Sequence, residues 1–302
     1  MRYVLRTAHI LVDTVVLFII LAVVFFASYN IWDNYQIYNA ASSNQFQEYQ
    51  PQAYDPDAKK SIDERFHQLQ KINPDVFGWI HLFGTQINYP MVQGKDNQKY
   101  LNLDPFLRFS LSGSIFLDAN TPKDFSNFSS VVYGHHMEKH KMFGDLDNYR
   151  EASYAKKHAK GNLYYQGVYH GFDVVTFIDT DAYDAHIYGR WEEPDRKEAL
   201  VSYIKQVGLY QLTDISSQDH LVMLSTCADG TDKRYIVVVK ILDKAYPEPK
   251  REVYEENTPM QIVKHYWWVT FAIVPLIIIT LIYLLYSRKQ KGVANKEHED
   301  SL

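Results

Sequence analysis

The chain has 302 residues, 46% of them hydrophobic, and a formal net charge of −5. That apolar content excludes a disordered chain, and an acidic balance with no long basic run outside the C-terminal tail argues against nucleic acid as a partner. With one cysteine, Cys227, no internal disulfide exists, so a domain outside the cytoplasm rests on its core alone.

In chain order, residues 10–27 are almost entirely Val, Ile, Leu, Phe and Ala, and with slight extension at each end they form a helix that spans a bilayer. Asp13 is the only charge in that run and sits near its edge. A cleaved signal peptide is the weaker alternative, because no small-x-small site follows the run directly. Residues 34–57 are rich in Gln, Asn, Tyr and Ser, lack apolar periodicity, and read as an extracellular stalk. Ser61 and Glu64 form a capping box. Ile62, Phe66, Leu69 and Ile72 follow at helical spacing, which predicts an amphipathic helix ending before Pro74.

The pattern then changes to short apolar or β-branched runs at 77–82, 86–92, 113–117, 131–133, 163–168, 173–178, 220–224 and 235–242, separated by turn residues. Eight such runs predict a mostly β domain, a closed barrel or a sandwich. His170-Gly171 reads as a hairpin turn between two of them. Residues 194–209 break the rule: Leu200, Ile204 and Val207 share one face, and the segment is a helix inserted between strands, starting at Pro194.

Residues 244–266 are a polar, proline-containing linker, and 267–286 form a second apolar span with Trp267, Trp268, Tyr283 and Tyr286 at its ends. Pro275 is tolerable in a membrane helix. Arg2 and Arg6 precede the first span; Arg288, Lys289 and Lys291 follow the second. By the positive-inside rule both termini are cytoplasmic and the domain between the spans is extracellular, with membrane lipid as one partner. The expected organisation is a tail and transmembrane helix at 1–33, a stalk at 34–57, a catalytic domain at 58–243, a linker at 244–266, and a second transmembrane helix with a basic tail at 267–302.

Three residues carry chemistry. Cys227 ends the run Leu221-Val222-Met223-Leu224 and precedes a polar turn, a place where a thiol is both fixed and reachable. Arg234 opens the next strand, so a hairpin forces it near Cys227. His135 follows Val131-Val132-Tyr133 through Gly134, although His136 and His140 are its equals as raw chemistry. In such a set the thiolate attacks a carbonyl, the imidazole moves protons, and the guanidinium binds the oxyanion or the peptide backbone. The same histidines with Cys227 could instead hold zinc, but one cysteine without a CxxC makes a poor ligand set. No metal or other cofactor is expected. Asp118 reads as a strand-end turn residue.

Several of these segments resemble class B sortases. Tyr133-Gly134-His135-His136-Met137 followed by Met142-Phe143-Gly144-Asp145-Leu146 is similar to the family's histidine segment. Leu224-Ser225-Thr226-Cys227 with Arg234-Tyr235-Ile236-Val237-Val238 is similar to its nucleophile strand and arginine. Ile72-Asn73-Pro74-Asp75-Val76-Phe77-Gly78-Trp79-Ile80, Ile87-Asn88-Tyr89-Pro90-Met91-Val92-Gln93 and Gly113-Ser114-Ile115-Phe116-Leu117-Asp118 also match, so the resemblance covers about residues 58–243.

The resemblance implies an eight-stranded sortase-type closed β-barrel with an N-terminal helix and an inserted helix. It implies a cysteine transpeptidase on the outer face of a Gram-positive plasma membrane, acting on secreted proteins with a C-terminal sorting signal. Cleavage of an LPxTG-like motif falls between Thr and Gly, and the acyl group passes to an amine of a cell-wall precursor or to a pilin lysine. His135, Cys227 and Arg234 are the catalytic residues it implies, and Ser225, Thr226 and Asp229 are candidates for substrate binding. The second span departs from most class B members and is similar to pilin-polymerising sortases. Their Asp-Pro-aromatic lid is not matched ahead of the barrel: Asp55-Pro56-Asp57 lacks the aromatic, and Asp104-Pro105-Phe106 lies inside the barrel region. A non-enzymatic binding or sensing module tethered at both ends is the alternative class.

Overall fold

The computed structural model describes residues 2–52, 64–189, 191, 193–227 and 232–249. The chain divides into two units, Met1–Glu252 and Val253–Leu302; the second, with the expected span 267–286, lies outside the described residues.

Helix α1 (Arg2–Ala40) runs unbroken through the first expected span. It is long and apolar enough to cross a membrane, and its apolar window is 0% buried. The helix continues into what reads as a stalk, and there the structure differs from the expectation. After α1 the chain makes a 3-10 helix, Ser43–Tyr49, that packs on the barrel. Ala41 and Phe46 are buried, and the Phe46 ring meets Tyr89 and Phe106. Two isolated apolar residues among Gln, Asn and Ser do this work, which no periodicity announces.

Tyr89 joins this segment to the barrel. Its hydroxyl donates to the Ala41 carbonyl at 2.9 Å and accepts the Met142 N–H at 3.0 Å. Tyr89→Phe leaves that buried N–H without its acceptor, so a loss of about 1–3 kcal/mol is expected. Chemical denaturation should show a lower midpoint; an unchanged midpoint would refute the bridge.

Helix α2 (Glu64–Ile72) buries Phe66 and Leu69. Ile72, assigned to the same stripe, is instead exposed. The helix stops at Asn73, whose side-chain amide donates to Tyr100 Oη and to the Pro105 carbonyl, and Pro74 follows.

The barrel begins with β1 (Val76–Leu82), β2 (Asn88–Val92), β3 (Ile115–Leu117) and β4 (Ser129–Tyr133). A small hairpin, β5 (His136–Met137) and β6 (Lys141–Met142), stands apart from it. After α3 (Ala152–Lys157) come β7 (Lys160–Tyr165) and β8 (Val168–Asp181), then α4 (Ala185–Tyr188), α5 (Pro194–Val207), β9 (Leu221–Cys227) and β10 (Lys233–Ile241). Eight strands close in the order β1-β2-β3-β4-β9-β10-β8-β7. Each of the eight expected runs overlaps a barrel strand, and the run 163–168 crosses the turn between β7 and β8.

One turn lies elsewhere than expected. His170-Gly171 lies within β8, paired with Leu163 and Asn162. The hairpin turns at Gln166-Gly167, both at positive φ (50° and 77°), the conformation of a tight two-residue β-turn. Gly171 serves close approach instead, because a Cβ there would lie 2.5 Å from the Lys244 carbonyl.

Alternation sorts β9 and β10 onto two faces. Val222, Leu224, Val237 and Val239 belong to the core inside the barrel. Leu221, Met223, Ile236 and Val238 pack outward against Ile187 of α4 and Leu200 and Ile204 of α5. Burial on both faces explains why these strands read as continuous apolar runs, and it makes them a rigid base for whatever stands at their ends.

Candidate active site

Three adjacent strands converge at one end of the barrel. β9 runs parallel to β4 on one side, with Tyr133 opposite Ser225. The Gly134 N–H extends that ladder to the Ser225 carbonyl at 3.2 Å. His135 therefore leaves β4 beside the end of β9. On the other side β9 runs antiparallel to β10, and Arg234 is the register partner of Cys227. Arg234 has the strand parity of Ile236 and Val238, the face covered by α4 and α5. Neighbouring strands are about 4.8 Å apart, so Cys227 and Arg234 lie side by side, and His135 leaves β4 at the same end of the sheet. Asp229 lies outside the described residues.

The His135 ring is half-buried, and its Nε2 donates to the Leu101 carbonyl at 2.9 Å. A carbonyl only accepts, so that nitrogen carries the proton. The other two histidines are held by carboxylates on the turn that follows the β5–β6 hairpin. His136 Nε2 meets Asp147 Oδ2 at 2.6 Å, and His140 Nδ1 meets Asp145 Oδ1 at 2.7 Å. Burial pushes the Asp145 carboxyl up, against donation from the Gln86 N–H and the pull of His140. The structure thus separates three histidines that spacing left equivalent.

Arg234 is half-buried, and its Nη1 donates to the Lys233 carbonyl at 2.9 Å. Ser225 is buried, and its Oγ lies 2.9 Å from Tyr188 Oη. Thr226 is buried with the opposite parity, that of Val222 and Leu224 inside the barrel. Asp118 is a turn residue: it accepts from the Asn120 N–H and from Asn97 Nδ2.

Sequence reasoning missed Tyr188. Helix α4 has four residues, too short for a periodic signal. Its cap is the signal that was available: Asp184 accepts from the His186 N–H, Thr180 Oγ1 and Tyr203 Oη. Burial raises the Asp184 carboxyl, but these hydrogen bonds outweigh it and hold it below its ordinary range. The cap ties α4 to β8 and α5 and delivers Tyr188 over the sheet. There the Tyr188 ring stacks on Tyr133 at 6.3 Å and 16°. Burial, reinforced by the Asp118 charge, pushes the Tyr133 hydroxyl up, so it stays neutral at physiological pH. An aromatic wall thus borders the His135, Cys227 and Arg234 positions.

The sortase domain family model matches residues 80–242. Sortase B of Staphylococcus aureus is 34% identical over 197 residues, which is 61% of this chain and 77% of that protein. The crystal structure of Staphylococcus aureus sortase B superposes with a TM-score of 0.57 at 32% identity, over 60% of this chain and 88% of that one. The crystal structure of sortase B from the type II pilus of Streptococcus pneumoniae has a TM-score of 0.51 and 37% identity, over 59% of this chain and 98% of that one.

Proposed function

The chain belongs to the sortase family, as a class B sortase transpeptidase, and on that premise we propose how its own residues carry the reaction. The Cys227 thiolate attacks the carbonyl carbon of a Thr-Gly bond in an LPxTG-like sorting signal. Arg234 donates to the oxyanion. As the C–N bond breaks, His135 gives its proton to the leaving amine, and a thioacyl enzyme remains. An incoming amine then attacks the thioester and its proton passes to His135. The new amide leaves, and the sulfur is again a thiolate. Ser225 and Asp229 assist in binding the peptide. Thr226 assists through its backbone, since its side chain has the parity of the barrel interior.

The observation that carries this reading is the register: Arg234 opposite Cys227, with His135 leaving the adjacent strand at the same end. Helix α1 is the membrane anchor, the barrel lies on the extracellular side, and 267–286 supplies a second anchor with both termini in the cytoplasm. The acceptor is a cell-wall precursor amine or a pilin lysine. The likeness to the pneumococcal pilus sortase B favours the pilin lysine.

The test is a panel of sorting-signal peptides, each incubated with the full chain and with either a glycyl amine or a lysine-bearing pilin peptide. Cleavage at Thr-Gly with transfer to one amine is the expected result. Cleavage of none of the peptides would refute the motif. In the same assay Arg234→Ala is expected to lose about 10²–10³-fold in kcat, the usual worth of one oxyanion donor. A variant at wild-type rate would remove the guanidinium from the mechanism.

A further inference from the structure

Four successive carbonyls beside the histidine have separate partners. The Tyr100 carbonyl accepts the Ser114 N–H at 3.1 Å and the Asn102 carbonyl accepts the Ser110 N–H at 3.0 Å. The Leu103 carbonyl accepts Ser114 Oγ at 2.7 Å. The one between them, Leu101, is turned to His135 Nε2 at 2.9 Å. The segment 110–114 therefore grips the turn on both sides of Leu101. It is itself braced by the Gly113 N–H donating to the Ser110 carbonyl at 3.0 Å and by the Ser110 and Ser112 hydroxyls, 2.7 Å apart.

Gly113 is the tight point of this grip. Its φ is +56°, and a Cβ there would lie 2.5 Å from the Tyr100 carbonyl oxygen and 2.6 Å from that of Leu101. Both are backbone atoms, so no side chain can rotate away to make room. We propose that Gly113 and the 110–114 segment position the catalytic imidazole through the Leu101 carbonyl, fixing the Nε2–H tautomer and leaving Nδ1 as the atom that exchanges the proton. This rests on the reading of His135 as the acid–base group. A base oriented by a third group is the general logic of such sites, and here a backbone carbonyl fills the place a carboxylate often takes. Gly113 acts through Leu101 and His135; it is a positioning residue.

The experiment is imidazole 15N NMR on the full chain in detergent, labelled at histidine, with His135 assigned by the signals lost in His135→Ala. At a pH where the ring is neutral, with Nδ1 deprotonated, the wild-type ring is expected as the Nε2–H tautomer. Gly113→Ala is expected to give mixed tautomers, a displaced pH–rate profile, and a kcat lower by about 10²-fold, the cost of a reacting group misplaced by ~1 Å, with KM little changed. Gly167→Ala is the control, because Gly167 also has positive φ (+77°) but nothing within 4 Å of a Cβ; tautomer and rate should stay at wild type. Should Gly113→Ala not fold, Ser114→Ala removes one bond of the grip and is expected to shift the tautomer and rate in the same direction by less. A wild-type Nδ1–H tautomer, or a folded Gly113→Ala or Ser114→Ala with unchanged tautomer and rate, would overturn the proposal. If His135→Ala retains activity, the acid–base reading fails, while the tautomer still decides the positioning contact on its own.

Discussion

Cys227→Ala is expected to abolish both peptide cleavage and amine transfer, with a loss of at least about four decades in rate, the scale seen when a covalent nucleophile is removed. The reaction as proposed has two acyl transfers, and both pass through the sulfur. Without it the remaining groups polarise a carbonyl that nothing attacks except water. The backbone should be indifferent, because Cys227 is the last residue of β9 and its neighbour Thr226 is already buried. Circular dichroism and the denaturation midpoint should therefore match wild type, which separates lost chemistry from lost fold. Cys227 is the only cysteine in the chain, so a thiol reagent reads it without ambiguity. Wild-type protein should take up one label per chain and lose activity in step with labelling. A Cys227→Ala variant that cleaves a sorting-signal peptide at the normal rate would sink the nucleophile assignment.

The barrel was legible because its strands are short, apolar and punctuated, and the end of β9 was legible because a hairpin is a local constraint. Arg234 needed only the short count from Cys227 to the next apolar run to be placed beside it. Helix α5 was equally plain, since Pro194 starts it and Leu200 and Ile204 bury one face. What stayed hidden was set by distant partners. His135, His136 and His140 differ only in what lies across space: the Leu101 carbonyl for the first, Asp147 and Asp145 for the others. Residues 41–51 looked solvated because Ala41, Phe46 and the Pro51 carbonyl dock on surfaces built by β2, β6 and β8. His170-Gly171 looked like a turn because glycine marks two different needs, a positive φ and a close approach, and composition does not separate them. Tyr188 was invisible because its helix is one turn long and its orientation depends on Asp184, Thr180 and Tyr203.

His135→Ala should cost about 10²–10⁴-fold in kcat, the range for a positioned acid–base group, and His136→Ala and His140→Ala should not. The geometry sets this order. Parallel pairing of β4 with β9 brings His135 to the end of the strand that carries Cys227, whereas His136 is already on the β5–β6 hairpin and turned to Asp147. His140 is further along, at the tip of that hairpin, more than half exposed and paired with Asp145. Losing either should cost stability through its contact with Asp147 or Asp145, and leave the rate within severalfold. Losing His135 removes the proton that the leaving amine needs and the base that the incoming amine needs, so cleavage and transfer should fall together. Small amines added to the His135→Ala variant should restore part of the rate, because free base can enter where the ring stood. Measuring kcat for the three variants on one peptide decides the matter: if His136→Ala or His140→Ala reproduces the loss while His135→Ala is spared, the acid–base role belongs to the hairpin, and the set of positions at the end of β4, β9 and β10 is not the site.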